Sequence, residues 1–287
     1  MHFVMDEIVT AISGDGFVSV AAICSTCLTE RAQHIHKSTP VVTAALGRAL
    51  AAASILGSAM KKSGAALTLS INGGGPAGNI VAVSDDVGNV RGLVQNPGAD
   101  APLTEAGELA FGAVVGNDGV LSVIRDYGEK EPYIGTSRLV SGNITDDIAV
   151  YLAASEQLPA ICSFDVVFDE SQTVAAAGGF IASFLPGVPE RVVTAVKSNV
   201  KSASAGCAGF ITGGADAIIA AVMPGLSPRV ISRVPIDYKC NCSRERFFSA
   251  LLSLDKAELD DIKQKAEPVE ACCQFCGTSY IFDPARL

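Results

Sequence analysis

The stretch that decides the architecture of this chain is Cys240-Asn-Cys242, followed after 30 intervening residues by Cys273-Gln-Phe-Cys276-Gly277. Its four cysteines form two close pairs. Paired thiolates are the usual way to build a closed tetrahedral zinc site, with zinc–sulfur bonds of about 2.3 Å. This spacing predicts one zinc ion per chain. The predicted ligands are Cys240, Cys242, Cys273 and Cys276.

A fifth cysteine lies beside the second pair. Cys272 directly precedes Cys273, so the identity of the third ligand depends on the local turn. Gly277 follows Cys276, and a glycine there permits a positive φ that turns backbone N–H groups towards sulfur. We therefore expect Cys273 to be the ligand and Cys272 to be a spare thiol.

The cysteine-bearing unit is predicted to span residues 233–287. A unit of this size buries too little surface to be robust alone, and zinc contributes on the order of 10 kcal/mol in small zinc domains. Zinc-bound sulfurs are thiolates, which oxidants attack, and each pair is close enough in sequence to form a disulfide. Spacing alone leaves a structural site and a redox switch open, and favours the structural one.

Composition limits the class of protein and its partners. Of the 287 residues, 49% are apolar and 18% are charged, which is typical of a folded chain. The net charge of −9 disfavours nucleic acid as a partner, because an acidic surface repels phosphate backbones. Five of the nine cysteines lie between residues 240 and 276, and such clustering indicates metal or redox chemistry in a reducing compartment.

The N-terminal part of the chain indicates a cytoplasmic protein without a membrane span. Residues 1–10 contain Asp6 and Glu7 and lack the basic start and apolar run of a signal peptide. The apolar stretch 41–60 is about long enough to cross a bilayer, but it contains Arg48 and many small residues. We interpret it as a buried helix.

Residues 1–180 are predicted to form an α+β core of β-sheets with packed helices. Gly14-Asp15-Gly16 separates two alternating apolar runs and predicts a hairpin. Thr39 and Pro40 are expected to start a helix that ends near residues 61–62, and a second helix is expected from Thr145 to Glu156. Further strands are predicted at 66–71, 79–83, 90–94, within 103–140 and as a hairpin over 166–180.

Residues 181–232 are interpreted as a helical linker of marginal stability. The segments 190–205 and 214–223 are small, apolar and permissive for helix, and glycines such as Gly206 and Gly213 interrupt them. Short helices bury little apolar area on their own, so their stability depends on what they pack against.

Two weaker patterns are assigned structural roles. Cys24-Ser-Thr-Cys27, with His34 and His36, permits a second metal site, but two separate strand or loop thiols with a core histidine are favoured. Gly73-x-Gly75-x-x-Gly78 matches a dinucleotide-binding pattern. Pro76 and the strand predicted to follow leave no helix for a pyrophosphate, so we interpret it as a turn.

Across nearly its whole length the sequence resembles the thirty-three-kilodalton heat-shock chaperonin family of redox-regulated bacterial holdases. The motifs that carry this resemblance are Ala45-Leu-Gly-Arg48, Asn72-Gly-Gly-Gly-Pro76, Val94-Gln-Asn-Pro97, Ser141-Gly-Asn-Ile144, Ser155-Glu-Gln-Leu-Pro159, Ala177-Gly-Gly-Phe180, Cys240-Asn-Cys242-Ser-Arg-Glu-Arg-Phe247 and Cys273-Gln-Phe-Cys276-Gly-Thr-Ser-Tyr280.

The resemblance implies an oxidation-activated chaperone and favours the switch over the structural site. The reduced, zinc-bound form would be inactive. Hypochlorous acid, or peroxide with unfolding stress, would form Cys240–Cys242 and Cys273–Cys276 disulfides and release zinc. The 181–232 linker would lose its order, and the exposed apolar surface would hold unfolding client proteins without ATP, in a form that favours a homodimer.

The sequence also departs from that family, and two rival functions remain. The linker carries many alanines and glycines and fewer charges than we associate with the family, and Cys24 and Cys27 lie in a region where we expect an arginine and an acidic residue. No nucleophile triad is visible, so no enzyme is predicted. The rivals are a thiol–disulfide oxidoreductase that uses Cys240 and Cys242, and a zinc-ribbon interaction module without redox function.

Overall fold

A computed structural model describes residues 5–104, 107, 109–129, 131–204, 209–265 and 267–287. The chain forms two compact units, Met1–Tyr238 and Lys239–Leu287. The predicted interruption at Gly206 and the end of the helix predicted over 190–205 lie outside the described residues. Mixed sheets and helices confirm the predicted α+β class.

Strands and helices alternate irregularly along the chain. The strands are β1 (Glu7–Ile12), β2 (Val18–Cys24), β3 (Ala66–Asn72), β4 (Ile80–Asp85), β5 (Val90–Val94), β6 (Val120–Asp126), β7 (Tyr133–Arg138), β8 (Ala160–Phe168), β9 (Val174–Phe184), β10 (Arg229–Pro235), β11 (Val269–Cys272) and β12 (Ser279–Phe282). The helices are α1 (Thr26–His36), α2 (Pro40–Ser58), α3 (Phe111–Val114), α4 (Ile144–Ala154), α5 (Glu190–Ser204), α6 (Gly209–Thr212), α7 (Gly214–Val222), α8 (Arg244–Leu252) and α9 (Lys256–Lys265).

The N-terminal unit is built on two antiparallel sheets of five strands each. One has the order β10-β1-β2-β9-β8, and the other has the order β5-β4-β3-β6-β7. Strands β3, β4 and β5 alternate between buried and partly exposed residues, so one face of the second sheet points into the core. The hairpin predicted around Gly14-Asp15-Gly16 is confirmed as β1 and β2.

Helix α2 lies in the main core. It is apolar and long enough to cross a membrane by composition, but 94% of its most apolar window is buried inside the fold. This confirms the interpretation of that stretch as a buried helix. Thr39 occupies the N-cap position as predicted, but its hydroxyl donates to the Ala99 carbonyl at 2.5 Å instead of capping the helix. The helix ends at Ser58, earlier than predicted.

Helices α5, α6 and α7 cover the other face of the first sheet. Val196 of α5 and Ile218 of α7 have no exposed surface and pack in one cluster with Val20 and Phe180 of the sheet. Strand β10, which follows these helices, pairs with β1 at the edge of that sheet. Residues within 181–232 therefore contribute both a helical layer and part of an edge strand to the N-terminal unit.

In the part that the structure describes, the C-terminal unit has a short hairpin, the helices α8 and α9, and a 3-10 turn at Pro284–Arg286. Strands β11 and β12 pair antiparallel, and β12 follows Cys276. The Ser243 hydroxyl accepts the Arg246 N–H and caps the start of α8. Phe247 stacks on Tyr280 with ring centroids 5.1 Å apart, which joins α8 to the hairpin.

Candidate metal centre

The four predicted ligands come together in the C-terminal unit. The four cysteine sulfurs all lie within 4.8 Å of one another. The members of this group are Cys240, Cys242, Cys273 and Cys276. Cys273 is buried and the other three are partly exposed. The site therefore has a closed side and a side that small reagents can reach.

The spacing of the sulfurs fits a tetrahedral ion. Cys240 Sγ lies 3.7 Å from Cys273 Sγ, and Cys242 Sγ lies 3.4 Å from Cys276 Sγ. Four sulfurs at about 2.3 Å from a central zinc would be separated by about 3.8 Å along each edge of the tetrahedron. The donor set and its size therefore suit zinc. Because every edge of such a site is similar, sulfur spacing does not select a disulfide pairing.

A tight turn after β11 presents the second pair. The Cys273 N–H donates to the Thr278 carbonyl at 2.9 Å, and the Gly277 N–H donates to the Cys273 carbonyl at 2.8 Å. Gly277 has a φ of 71°, which confirms the positive φ predicted from the sequence. A side chain at this position would strain the turn that brings Cys273 and Cys276 together.

The fifth cysteine of this region stays outside the group. Cys272 ends β11 and is exposed, and its sulfur lies 4.0 Å from the backbone carbonyl of Cys273. Successive side chains of a strand point to opposite faces, so Cys272 and Cys273 diverge. The structure thus separates Cys272 from the four clustered sulfurs, as the sequence led us to expect.

Two hydroxyl groups next to the sulfurs were not anticipated from the sequence. The Tyr280 hydroxyl lies 3.3 Å from Cys242 Sγ, and the Thr278 hydroxyl lies 3.2 Å from Cys276 Sγ. Hydroxyl donors around a metal site favour the charged form of the ligand and fix its orientation. The run Gly277-Thr-Ser-Tyr280 is the part of the sequence that could have indicated these hydroxyls, because residues that directly follow the last ligand lie close to the sulfurs.

The metal-free thiols do not ionise alike. Burial, reinforced by the neighbouring sulfurs, raises the pKa of Cys240 to about 12, and burial also raises the pKa of Cys242. Burial acts in the same direction on Cys276, but hydrogen bonds from Thr278 outweigh it and lower its pKa to about 7. Four thiolates at neutral pH therefore require a cation that compensates their mutual repulsion.

Cys24, Cys27, His34 and His36, which were considered for a second metal site, do not form a group spaced to hold a metal. Among the residues that the structure describes, the C-terminal cysteines form the one group spaced to hold a metal. Cys24 ends β2, whereas Cys27 lies in helix α1, so the expectation of two strand or loop thiols is wrong for Cys27. His36 Nε2 lies 2.9 Å from the Gly92 carbonyl, and burial lowers its pKa, which fits a core histidine.

The glycine-rich pattern is a turn, as interpreted. It connects β3 to β4, and no helix follows it. A side-chain carbon at Gly73 would lie 2.2 Å from the Gly116 carbonyl oxygen, and one at Gly75 would lie 2.4 Å from the Val114 carbonyl oxygen. These glycines permit close backbone packing between two loops rather than contact with a phosphate.

Comparison with known proteins agrees with this arrangement. The family model described as Hsp33 protein matches residues 6–283. Two relatives named 33 kDa chaperonin are similar over nearly their whole length. That of Thermoanaerobacter sp. (strain X514) is 39% identical over 98% of this chain and 96% of its own. That of Bacillus pumilus (strain SAFR-032) is 37% identical over 99% of this chain and 97% of its own.

A solved structure has the same fold. The crystal structure of the 33 kDa chaperonin, a heat shock protein 33 homolog, from Thermotoga maritima superimposes with a TM-score of 0.87. The two chains are 32% identical, and the match covers 98% of this chain and 96% of the other. Sequence and fold agree along nearly the whole chain, which therefore belongs to the Hsp33 family.

Proposed function

We propose that this protein is an ATP-independent holdase chaperone whose client-binding activity is controlled by oxidation of the C-terminal cysteines. The observation that supports it most directly is the group of four sulfurs within 4.8 Å of one another. Its relatives are named chaperonins. The proposal excludes catalytic turnover, so we expect no enzyme activity.

In the reduced state, the clustered cysteines would hold one zinc ion. When bound, zinc supplies a positive charge that keeps the sulfurs as thiolates. Thr278 and Tyr280 would orient the sulfurs of Cys276 and Cys242, as their distances indicate. While the C-terminal unit stays folded, residues 181–232 would keep their order and the client-binding surface would stay covered. The reduced protein would therefore be inactive.

Oxidation would remove the ligands and destabilise the C-terminal unit in one event. We propose the disulfides Cys240–Cys242 and Cys273–Cys276, which resemblance to the family implies. Neither α8 nor α9 contains a fully buried residue, so the unit has little apolar core to stabilise it without metal. Oxidants of the kind met in oxidative stress, such as hypochlorous acid, are the expected trigger.

Loss of order in residues 181–232 would then expose a client-binding surface. We propose the functional division into a core of residues 1–180, a metastable linker of residues 181–232 and a switch domain of residues 233–287. Removing α5 and α7 from the first sheet would uncover apolar side chains such as Val20 and Phe180. An apolar sheet face is complementary to the exposed hydrophobic segments of unfolding proteins.

The remaining features of the proposal concern assembly and location. The active form is expected to be a homodimer, since the same uncovered face on two copies can pair. Cytoplasmic location follows from the requirement for reduced thiols in the resting state. The net charge of −9 supports protein clients rather than nucleic acid.

One experiment separates the proposal from its rivals. The reduced, zinc-loaded protein is treated with hypochlorous acid while a chromogenic chelator reports zinc release and light scattering reports aggregation of a chemically unfolded client. We expect zinc release and suppression of aggregation to rise together. Equal suppression before and after oxidation, or retained zinc, would refute the switch and leave a structural zinc module. Multiple turnover of a dithiol substrate would instead indicate an oxidoreductase.

Two variants make the result specific to the site. Cys273→Ser removes a clustered sulfur and should abolish stable zinc binding. Cys272→Ser alters the adjacent exposed thiol, which stays outside the group, and should leave zinc release and activation unchanged. If both variants behave alike, the four-sulfur assignment is wrong.

A further inference from the structure

Two thiols of the N-terminal unit take no part in the metal centre. Cys24 is the last residue of β2 and is 1% exposed, whereas Cys27 lies in the first turn of α1 and is exposed. They form a Cys-x-x-Cys sequence at a strand-to-helix turn. That spacing at the start of a helix is the arrangement in which thiol–disulfide chemistry commonly occurs.

The turn between these cysteines is anchored to strand β9. The Ser25 N–H donates to the Ala177 carbonyl at 2.9 Å. The Thr26 hydroxyl accepts the Ala177 N–H at 3.1 Å. The backbone that carries both thiols is therefore held in place by the sheet.

A buried carboxylate holds the same turn from the other side. Asp6 accepts the Cys27 N–H at 3.0 Å and the Leu28 N–H at 2.6 Å, and it is 5% exposed. Cys24 Sγ lies 3.8 Å from the Thr26 hydroxyl, so it is directed at the start of the helix. Both thiols thus lie at the same strand-to-helix turn.

This environment slows oxidation without preventing it. Burial, followed by the charge of Asp6, raises the pKa of Cys27, and burial is also the main cause of the raised pKa of Cys24. A helix N-terminus normally lowers a thiol pKa, but here Asp6 already takes the N–H groups that would do so. Each unit of pKa increase leaves about tenfold less thiolate at neutral pH.

We propose that Cys24 and Cys27 are a second oxidation site, which closes into a reversible disulfide only after the C-terminal cysteines have been oxidised. The oxidants that react with this site are two-electron oxidants of the hypochlorous acid class. Formation of the disulfide requires only the two thiols of the N-terminal unit, whereas the order of the two oxidations rests on the proposed function of the C-terminal cysteines. Its effect is to divert exposed Cys27 from irreversible sulfinic and sulfonic acids into a form that dithiols can reduce.

The chemistry proceeds in two balanced steps. Hypochlorous acid transfers chlorine to the sulfur of exposed Cys27, whose proton leaves with the hydroxide as water. The Cys24 sulfur then attacks the Cys27 sulfur, so that the S–S bond forms, the S–Cl bond breaks, and the Cys24 proton leaves with chloride. The two thiols lose two electrons, and the chlorine is reduced to chloride.

The test is peptide mass spectrometry on the full, reduced, zinc-loaded chain. Hypochlorous acid is added in steps, zinc release is followed in the same samples, and free thiols are then alkylated under denaturing conditions. Trypsin releases both cysteines in the single peptide that ends at Arg31. We expect this peptide to lose two hydrogens and resist alkylation once zinc release is complete, and to regain two alkyl groups after treatment with dithiothreitol.

Variants distinguish the disulfide from separate oxidation of each thiol. In Cys24→Ser, Cys27 should accumulate sulfonic acid that dithiothreitol does not reverse. In Cys27→Ser, buried Cys24 should remain free to alkylate. Cys162→Ser, which removes another buried thiol, should leave the disulfide unchanged.

Three outcomes would overturn the proposal. The first is sulfonic acid at Cys27 in the parent chain while Cys24 remains free. The second is full alkylation of both thiols in excess oxidant. The third is appearance of the disulfide while zinc is still bound, which would refute the proposed order. None of these results changes the zinc-release readout of the C-terminal cysteines, so failure here is distinct from failure of the redox switch.

Discussion

The hydroxyl of Tyr280 lies 3.3 Å from the sulfur of Cys242. The tyrosine is on β12, its ring packs on Phe247 of α8, and the cysteine belongs to the first ligand pair. The Tyr280 side chain thus links strand β12 and helix α8 to the sulfur of Cys242. The hydroxyl can donate to a thiolate, which stabilises the charged form that zinc requires.

Tyr280→Phe should weaken zinc binding while leaving the ring in place. Groups that hydrogen-bond to metal ligands commonly contribute 10–100-fold to affinity, and we expect a loss of roughly tenfold here because the site keeps its four sulfurs. Competition with a chromogenic zinc chelator measures the change. Tyr133→Phe, at an exposed tyrosine of the N-terminal unit, is the matched control. Equal affinity in both variants would show that the Tyr280 hydroxyl does not act on the metal.

Removal of zinc from the reduced chain should unfold residues 239–287 and leave the N-terminal unit folded. The reason is that α8 and α9 bury no residue completely, so the metal replaces a core. Amide resonances of Phe247 and Tyr280 should collapse towards random-coil positions after chelation, whereas those of Leu69 in β3 should not move. Dispersed resonances for Phe247 without zinc would contradict this expectation.

Ile218→Ala should make the protein partly active without oxidant. Ile218 has no exposed surface where α7 packs on the first sheet, and truncation of such a residue typically costs about 2–5 kcal/mol. A weaker helical layer would open more often and expose apolar surface. Aggregation of a client should be suppressed more strongly by the reduced, zinc-bound variant than by the parent chain.

Thr194→Ala provides the control for this prediction. It alters an exposed position of α5 in the same helical layer and should leave the reduced protein inactive. If Ile218→Ala unfolds the N-terminal unit as a whole, circular dichroism will reveal it. A folded Ile218→Ala protein without added chaperone activity would refute the role of the 181–232 layer.

The N-terminal unit should become less stable as Asp6 ionises. Burial raises the pKa of Asp6 from 3.8 to about 6, although N–H groups of Cys27 and Leu28 oppose the shift. The folded state therefore binds this proton more tightly than the unfolded state. Its contribution to stability is complete below about pH 4 and is lost as the pH rises through about 6, a change of at most about 3 kcal/mol.

Asp6→Asn should remove that pH dependence. The free energy of unfolding is measured by denaturant titration of parent and variant between pH 4.5 and 7.5, and the difference between them cancels the other titrating groups. The difference should shift in favour of the variant as the pH rises, most steeply near pH 5, midway between the two pKa values, and should level off above about pH 7. A difference that stays constant across this range would show that Asp6 does not carry the raised pKa.

Much of the architecture could be predicted because it depends on local pattern. Alternation predicted the hairpin of β1 and β2 and the strands β3 to β5, since a half-buried strand repeats every two residues. The apolar stretch with Pro40 predicted helix α2. Cysteine spacing predicted the four-sulfur group, and Gly277 predicted the turn, because short-range backbone geometry limits which sulfurs can converge.

Other features depend on contacts between distant residues. Helix α1 was missed because its own sequence is weakly apolar, and Asp6, some 20 residues earlier, satisfies its first N–H groups. The Thr39 hydroxyl finds Ala99 rather than its own helix. No local pattern indicates either partner.

By itself, then, the sequence determined the periodic elements, the zinc-type ligand spacing and the register that sets Cys272 apart. Only the tertiary structure decided which groups surround the sulfurs, where Cys27 lies, and that α5 and α7 cover an apolar sheet face. The physical reason is the separation along the chain between the residues that interact. Periodicity and turn conformation are properties of neighbouring residues, whereas burial, pKa shifts and hydrogen-bond partners arise when the fold brings distant side chains into one low-dielectric environment.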